Sequence, residues 1–253
     1  MIREALKKHY IGMNKEFRHR GEEAGRLENF SDAVFALAIT LLLISTSAPR
    51  TFDDIIQFSF ELLPFAFCIA LVILIWHQHF IFFLRYGFRN AYIIFLNTLF
   101  LFIVLYYVYP LKFLTKMISQ PILYWITGNK QFINELQVMI RADQVGNLMI
   151  VYGIGAASIF LVLALMYQYA ARKAGDLELN ELELFDTRSN VFMNLLMAAI
   201  PLLSVLTTAI FYNRPFVGAY AGFTYFLYTP VMFWFGSRVN KKRKKILERM
   251  HTV

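Results

Sequence analysis

The chain has 253 residues, of which 58% are hydrophobic and 17% are charged, and it contains 26 Phe and 14 Tyr. A soluble domain usually carries about a quarter charged residues, so this composition excludes an ordinary soluble domain and indicates a membrane protein. The net charge is +8, and the basic residues cluster outside the apolar runs, at both ends of the chain. That placement favours anionic lipid headgroups as partners and argues against nucleic-acid binding.

Six apolar segments are long enough, or nearly so, to cross a bilayer, which takes about 20 residues per helix. They are residues 29–47, 55–84, 91–111, 146–171, 190–212 and 216–236, with approximate bounds. No stretch is left over for a soluble domain. We therefore expect an all-α fold with one six-helix transmembrane domain that covers residues 1–253.

The distribution of basic residues predicts the orientation of these helices. With six spans the two termini share a side, and that side holds 19 of the 25 Lys and Arg residues. Because cytoplasmic loops are enriched in Lys and Arg, we expect both termini in the cytoplasm and a multi-pass protein of the cell membrane.

Two loops between the predicted spans carry patterns of their own. The outer loop, residues 112–145, has apolar residues at helical spacing (Phe132, Leu136 and Met139), which predicts a short amphipathic helix. Residues 174–187 are rich in Asp and Glu. We expect a solvated cytoplasmic loop there, because the stretch lacks the pattern of a calcium-binding loop.

The sequence holds no motif of an enzyme. A glycine-rich phosphate loop, a nucleophile elbow and a His-Glu-x-x-His zinc motif are all missing. His77 and His79 lie about 200° apart around a helix, so they do not chelate one metal ion. We therefore expect a protein that is not an enzyme, with no metal site and no cofactor.

The first predicted helix carries the most informative pattern. Leu37, Leu41 and Ile44 follow i, i+4, i+7 spacing and form one apolar row. Asp32 lies about 140° from Leu37 and about 180° from Leu41 around the helix axis, so the carboxylate and the row face opposite sides. The row either contacts lipid and neighbouring helices or lines a pore formed by several copies of this helix.

Arg26, Phe30, Ser31 and Asp32 form the pattern Arg-x-x-x-Phe-Ser-Asp. This pattern resembles the signature of the endolysosomal potassium channel family, transmembrane protein 175, with its bacterial and archaeal relatives. Further similarities are Trp76-x-x-His79 in the second helix, and Asn97 with Tyr109-Pro110 in the third. Phe80 departs from the family, since many bacterial members carry a second histidine there.

The resemblance implies a potassium-preferring cation channel that conducts passively, with K⁺ in the pore as the permeant ion. One six-helix repeat per chain implies a homotetramer in a bacterial inner membrane, with the first helices around the axis. In the family the narrowest aliphatic constriction falls at the position of Leu37, with further layers at Leu41 and Ile44. Thr40 matches a polar position linked to potassium preference, and Ser45 is a second polar candidate in the pore.

The buried side of the first helix predicts an interhelix network. We expect Ser31 and Asp32 to tie this helix to its neighbours, with Arg26, Trp76, His79 and Asn97 as candidate partners, because an unpaired carboxylate in a membrane is costly. Two other functions remain open. One is a proton- or cation-coupled secondary transporter that uses Asp32 and His79, and the other is a membrane scaffold without transport activity.

Overall fold

The computed structural model describes residues 16–21, 23, 25–44, 50–212, 214 and 216–251. Within these ranges the chain folds into α-helices joined by short turns and 3₁₀ segments. The helices are α1 (Arg26–Ile44), α2 (Phe52–Tyr86), α3 (Ala91–Thr127), α4 (Gln131–Met139), α5 (Val145–Arg172), α6 (Glu181–Ile210), α7 (Val217–Phe223) and α8 (Tyr228–His251).

Four of these helices contain segments that are long and apolar enough to cross a membrane: Phe58–Tyr86 in α2, and the whole of α3, α5 and α6. The predicted all-α membrane fold is therefore confirmed at this level. Helix α1 has 19 residues and carries charged groups in its first two turns. The second half of α8 is strongly basic, which lowers its mean hydropathy.

Helix α3 is much longer than its predicted span, 91–111. It continues past Pro110 and Pro121 to Thr127, where Gly128 ends it in a left-handed conformation with φ of 68°. A proline removes only its own N–H, and the turns on either side keep a long helix intact. Residues 112–127, expected in the outer loop, are therefore helical. At 1.5 Å per residue α3 is about 55 Å long, well beyond the hydrocarbon thickness of about 30 Å.

The short amphipathic helix predicted in the outer loop is confirmed as α4. Its residue Phe132 is buried and makes an edge-to-face contact with Phe60 of α2, with ring centroids 5.3 Å apart. Helix α4 therefore packs its apolar side against the protruding ends of α2 and α3.

The last two predicted spans differ from the helices that form. Helix α6 begins at Glu181, well before residue 190. The segment 216–236 is divided into α7, a 3₁₀ segment (Thr224–Leu227) and the start of α8. Bonds to α6 hold the divided segment: the Tyr228 hydroxyl donates to the Met197 carbonyl oxygen at 2.9 Å, and the Ser204 hydroxyl donates to the Ala221 carbonyl oxygen at 3.0 Å.

The acidic stretch 174–187 is a solvated loop only in its first part, where Asp176 and Glu178 are exposed, and helix α6 begins at Glu181. Asn180 and Glu183 form a capping box at the start of α6, which satisfies backbone N–H groups of the first turn. Glu183 is fully buried and accepts hydrogen bonds from Arg18 Nη2 at 2.8 Å and Arg20 Nη2 at 2.9 Å. These bonds raise the pKa of the Arg18 guanidinium, so the pair stays charged.

The C-terminal helix α8 also contacts the first turns of α6. Arg243 of α8 binds Asp186 of α6 at 3.2 Å and Glu16 of the N-terminal segment at 2.7 Å. The basic segments that the sequence places on one side of the membrane therefore converge on the start of α6. No group of three or more His, Cys, Asp or Glu in the described part of the chain is arranged to hold a metal ion.

We expect Glu183→Gln to lower the free energy of unfolding by about 1–3 kcal/mol, because Arg20 loses a buried charged acceptor. The matched control is Glu181→Gln, two residues away, whose carboxylate is exposed and pairs with exposed Arg249. An exposed pair contributes about 0–1 kcal/mol. Thermal unfolding of the purified protein in detergent checks this difference, and equal midpoints for the two variants would contradict it.

Candidate functional site: the two faces of helix α1

One face of α1 is buried against α2 and α3. Ser31, Phe35, Ala38 and Leu42 follow i, i+4, i+7, i+11 spacing, and none of them is more than 3% exposed. This spacing places all four side chains on a single stripe of the helix. The stripe fixes which side of α1 faces the rest of the protomer.

The opposite face of α1 is open in the protomer. Phe30 is 62% exposed, Leu37 52% and Leu41 49%, and Thr40 is exposed beside them. The Thr40 hydroxyl donates to the Ala36 carbonyl oxygen at 2.8 Å within the helix. The side chain of Ile44 and all of Ser45 lie outside the described residues.

A chain of hydrogen bonds joins α2, α3 and α1 through Asn97. His79 Nε2 lies 2.6 Å from Asn97 Oδ1, and Asn97 Nδ2 donates to Ser31 Oγ at 2.9 Å. Ser31 Oγ in turn donates to the Leu27 carbonyl oxygen at 2.8 Å. Because the Asn97 amide nitrogen is used for Ser31, its oxygen accepts, and His79 carries the proton on Nε2.

Aromatic rings separate this chain of hydrogen bonds (His79, Asn97 and Ser31, called the relay below) from solvent. His79 is buried and stacks on Phe100 with centroids 5.3 Å apart and planes 13° apart. Phe83 and Phe35 lie against it at 4.7 Å and 5.7 Å. The relay is thus a neutral polar contact inside an apolar layer, where each donor has an acceptor and an unmade bond would be costly.

A second bond ties α1 to α2 near the start of α1. Trp76 Nε1 donates to Asp32 Oδ1 at 2.7 Å, and the indole stacks on Phe80 with centroids 5.5 Å apart. Of the candidate partners, Trp76 therefore contacts Asp32, whereas Arg26 is exposed and pairs with no described residue. No hydrogen bond joins Asp32 and His79.

The C-terminal end of α1 is held by a lysine that sequence reasoning assigned to the outer loop. Lys112 Nζ of α3 donates to the Leu42 carbonyl oxygen at 2.8 Å. That carbonyl is in the last turn of α1, where a cation is favoured by the helix dipole and by the unpaired carbonyl groups. A lone lysine two residues after Pro110 was the available signal, but it is informative only once α3 is known to continue past the proline.

Both ends of α1 are therefore anchored through polar groups, while Leu37 and Leu41 on another side of the helix are each about half exposed. Such an arrangement provides no acid–base pair, nucleophile or ligand set. It provides an apolar surface, formed by Leu37 and Leu41, whose orientation relative to α2 and α3 is fixed.

Comparison with known proteins agrees with this site. The family model described as "Endosomal/lysosomal potassium channel TMEM175" matches residues 26–107, the segment that contains the signature of α1 and every residue of the relay. A protein from Marivirga tractuosa named "Potassium channel" is 44% identical over 243 residues, which is 94% of this chain and 96% of that protein. The chain belongs to the TMEM175 family.

A solved structure supports the same membership. It is the crystal structure of a threonine-to-alanine variant of the potassium channel MtTMEM175 in complex with a Nanobody-MBP fusion protein. The two chains are 44% identical and superpose with a TM-score of 0.79. The match covers 91% of this chain and 100% of the crystallised channel chain. The similarity to TMEM175 proteins therefore extends beyond the signature to almost the whole fold.

We expect Asn97→Leu to destabilise the protein by about 1–3 kcal/mol, since it keeps the branched shape but removes the acceptor for His79 and the donor to Ser31. The control is Thr98→Val, which is also isosteric, removes an exposed hydroxyl that bonds only within α3, and should cost much less. Thermal unfolding in detergent distinguishes the two variants. An Asn97→Leu protein as stable as the control would show that the relay is dispensable.

Proposed function

We propose that the chain is a potassium-preferring channel that conducts ions passively through a pore lined by α1. Membership in the TMEM175 family supports this function, because both the family and the similar proteins are described as potassium channels. The observation that carries the proposal is the direction of α1. Its stripe with Ser31 is buried against α2 and α3, and Leu37 and Leu41 are exposed on another side of the helix.

The proposed assembly is a homotetramer with one α1 from each chain around the axis. Rotational symmetry brings the same surface of every copy to the axis, so the exposed row of one α1 faces its equivalents. Leu37 and Leu41 are already exposed together along one side of a 19-residue helix. Burial of these side chains against their copies would remove apolar surface that the protomer leaves open.

In this assembly Leu37 forms the narrowest ring, followed by Leu41 and Ile44. A ring of aliphatic side chains excludes water when it is narrow, and ions do not cross a dry constriction. Widening of the Leu37 ring would therefore open the pore. Thr40 lies one helical turn after this ring, and it and Ser45 are the proposed polar positions for potassium preference.

The proposed membrane arrangement has six spans: α1, the four long apolar helices and the segment 216–236. Both termini would lie in the cytoplasm of a bacterium, with the channel in the inner membrane. The ion pairs of Arg18 and Arg20 with Glu183, and of Arg243 with Asp186, support a common side for the basic segments. Lipid and monovalent cations are the proposed partners, and no cofactor is needed for passive conduction.

The test of ion selectivity uses purified protein in liposomes, with K⁺ on one side and Na⁺ on the other. We expect a reversal potential displaced toward the K⁺ equilibrium potential, and we expect Thr40→Val to move it toward zero. The control Thr207→Val removes a hydroxyl that is likewise exposed and bonded to its own helix, but lies on α6. Saturable, gradient-coupled uptake without a reversal potential would instead favour the transporter that uses Asp32 and His79, and no ion flux at all would favour the scaffold.

We expect Leu37→Ala to increase the current of the reconstituted channel severalfold, because the smaller side chain widens the ring and admits water. The matched control, Leu74→Ala, truncates a leucine of α2 that is 63% exposed and has no place in the proposed pore. Single-channel recording in lipid bilayers measures both conductance and open probability. A Leu37→Ala channel that matches the parent and the control in both would rule out Leu37 as the constriction.

A further inference from the structure

A cavity of about 300 Å³ lies between α2, α3 and α4, at the end of α3 that protrudes beyond Lys112. Its lining combines polar and aromatic side chains, among them Phe60, Glu61, Lys116, Gln120, Phe132 and Glu135. A water molecule takes about 30 Å³ of liquid volume. The space is therefore much larger than a bare ion and suits a small organic molecule.

The cavity wall includes a glutamine whose side chain is buried. Gln120 is 3% exposed, and its Nε2 donates to Glu135 Oε2 at 3.1 Å. Its Oε1 is buried and has no hydrogen-bond partner. This oxygen is not accessible from the cavity, so Gln120 contributes to the site by holding the Glu135 carboxylate.

The charges in the lining favour a cation. Glu61 pairs with Lys116 at 3.1 Å, so these two charges compensate each other. Glu135 accepts hydrogen bonds from the neutral amides of Gln120 and Gln131, and no basic residue among the described lining residues pairs with it. One negative charge, that of Glu135, therefore remains uncompensated among the described lining residues.

Another part of the lining is apolar. The rings of Phe60 and Phe132 meet edge to face with centroids 5.3 Å apart, and Ile56 and Leu123 extend this surface. A metal ion gains nothing from such a wall, since hard cations are held by several oxygens at once. An organic cation with a carbon chain gains from both parts.

We propose that this cavity binds a small organic molecule with a primary ammonium group. The ammonium N–H groups donate to the Glu135 carboxylate, and the carbon chain lies against Phe60 and Phe132. Charge-assisted hydrogen bonds supply the affinity, and the aromatic wall selects against a bare or hydrated inorganic ion. The site is separate from the exposed row of α1, so it does not rest on the proposed channel function.

The test measures binding to the full-length protein in detergent by isothermal titration calorimetry, without any current. The probe is n-butylammonium chloride, compared with tetramethylammonium chloride, which has the charge but no N–H, and with n-butanol, which has the chain but no charge. We expect saturable binding of n-butylammonium only. Glu135→Gln should weaken it by about tenfold or more.

Two further variants separate the site from general effects on folding. Gln120→Leu removes the amide that holds Glu135 and should also weaken binding of n-butylammonium. Asp143→Asn changes an exposed carboxylate that pairs with Arg141 outside the cavity and should leave affinity unchanged. Oligomeric state in size-exclusion chromatography shows that each variant is intact.

Three results would overturn the proposal. The first is the absence of saturable n-butylammonium binding to intact protein. The second is equal affinity for tetramethylammonium, or equal affinity in the Glu135→Gln variant. The third is binding of Mg²⁺ or Ca²⁺ that depends on Glu135 when n-butylammonium does not bind, which would make the cavity an inorganic cation site.

Discussion

The bond between Asn97 and its two neighbours determines how α1 sits in the protomer. In a membrane, apolar side chains prefer one another hardly more than they prefer lipid, so apolar contact alone selects the rotation of a helix weakly. Asn97 adds direction, because its amide oxygen faces His79 on α2 and its nitrogen faces Ser31 on α1. A rotation of α1 that moved Ser31 away would leave a buried amide unpaired, and this cost makes one orientation preferred.

The exposure of Leu37 and Leu41 follows from that orientation. Ser31, Phe35, Ala38 and Leu42 of α1 contact the rest of the protomer, whereas Leu37 and Leu41 lie on another side of the helix, so fixing the first set fixes the direction of the second. Lys112 holds the same helix at its C-terminal end by donating a hydrogen bond to the Leu42 carbonyl oxygen. Helix α1 is thus held near both ends through side-chain bonds to α2 and α3, which leaves its remaining face free for contacts between copies.

The relay could be predicted from the sequence because polar residues are rare enough in apolar helices to be noticed individually. Ser31, Asp32, Trp76, His79 and Asn97 stood out for that reason, although helical geometry did not say which pairs would form. The continuation of α3 past Pro110 and the burial of Glu183 were missed for a different reason. Proline usually ends a helix, and acidic residues usually lie at the surface. Distant partners outweigh both preferences here: α4 packs beside the end of α3, and Arg18 and Arg20 enclose Glu183.

The order of polar groups along α1 also fits the proposed pore. Asp32 accepts one hydrogen bond from Trp76, yet a carboxylate has room for about four, and its residue is exposed. Its remaining acceptor positions need water or a neighbouring copy, so this level of α1 belongs to a hydrated region. Leu37 lies five residues further on, about 7.5 Å along the helix, where the exposed face has become aliphatic. A hydrated entrance followed within about two turns by an aliphatic ring is the sequence of environments that a gate based on water exclusion requires.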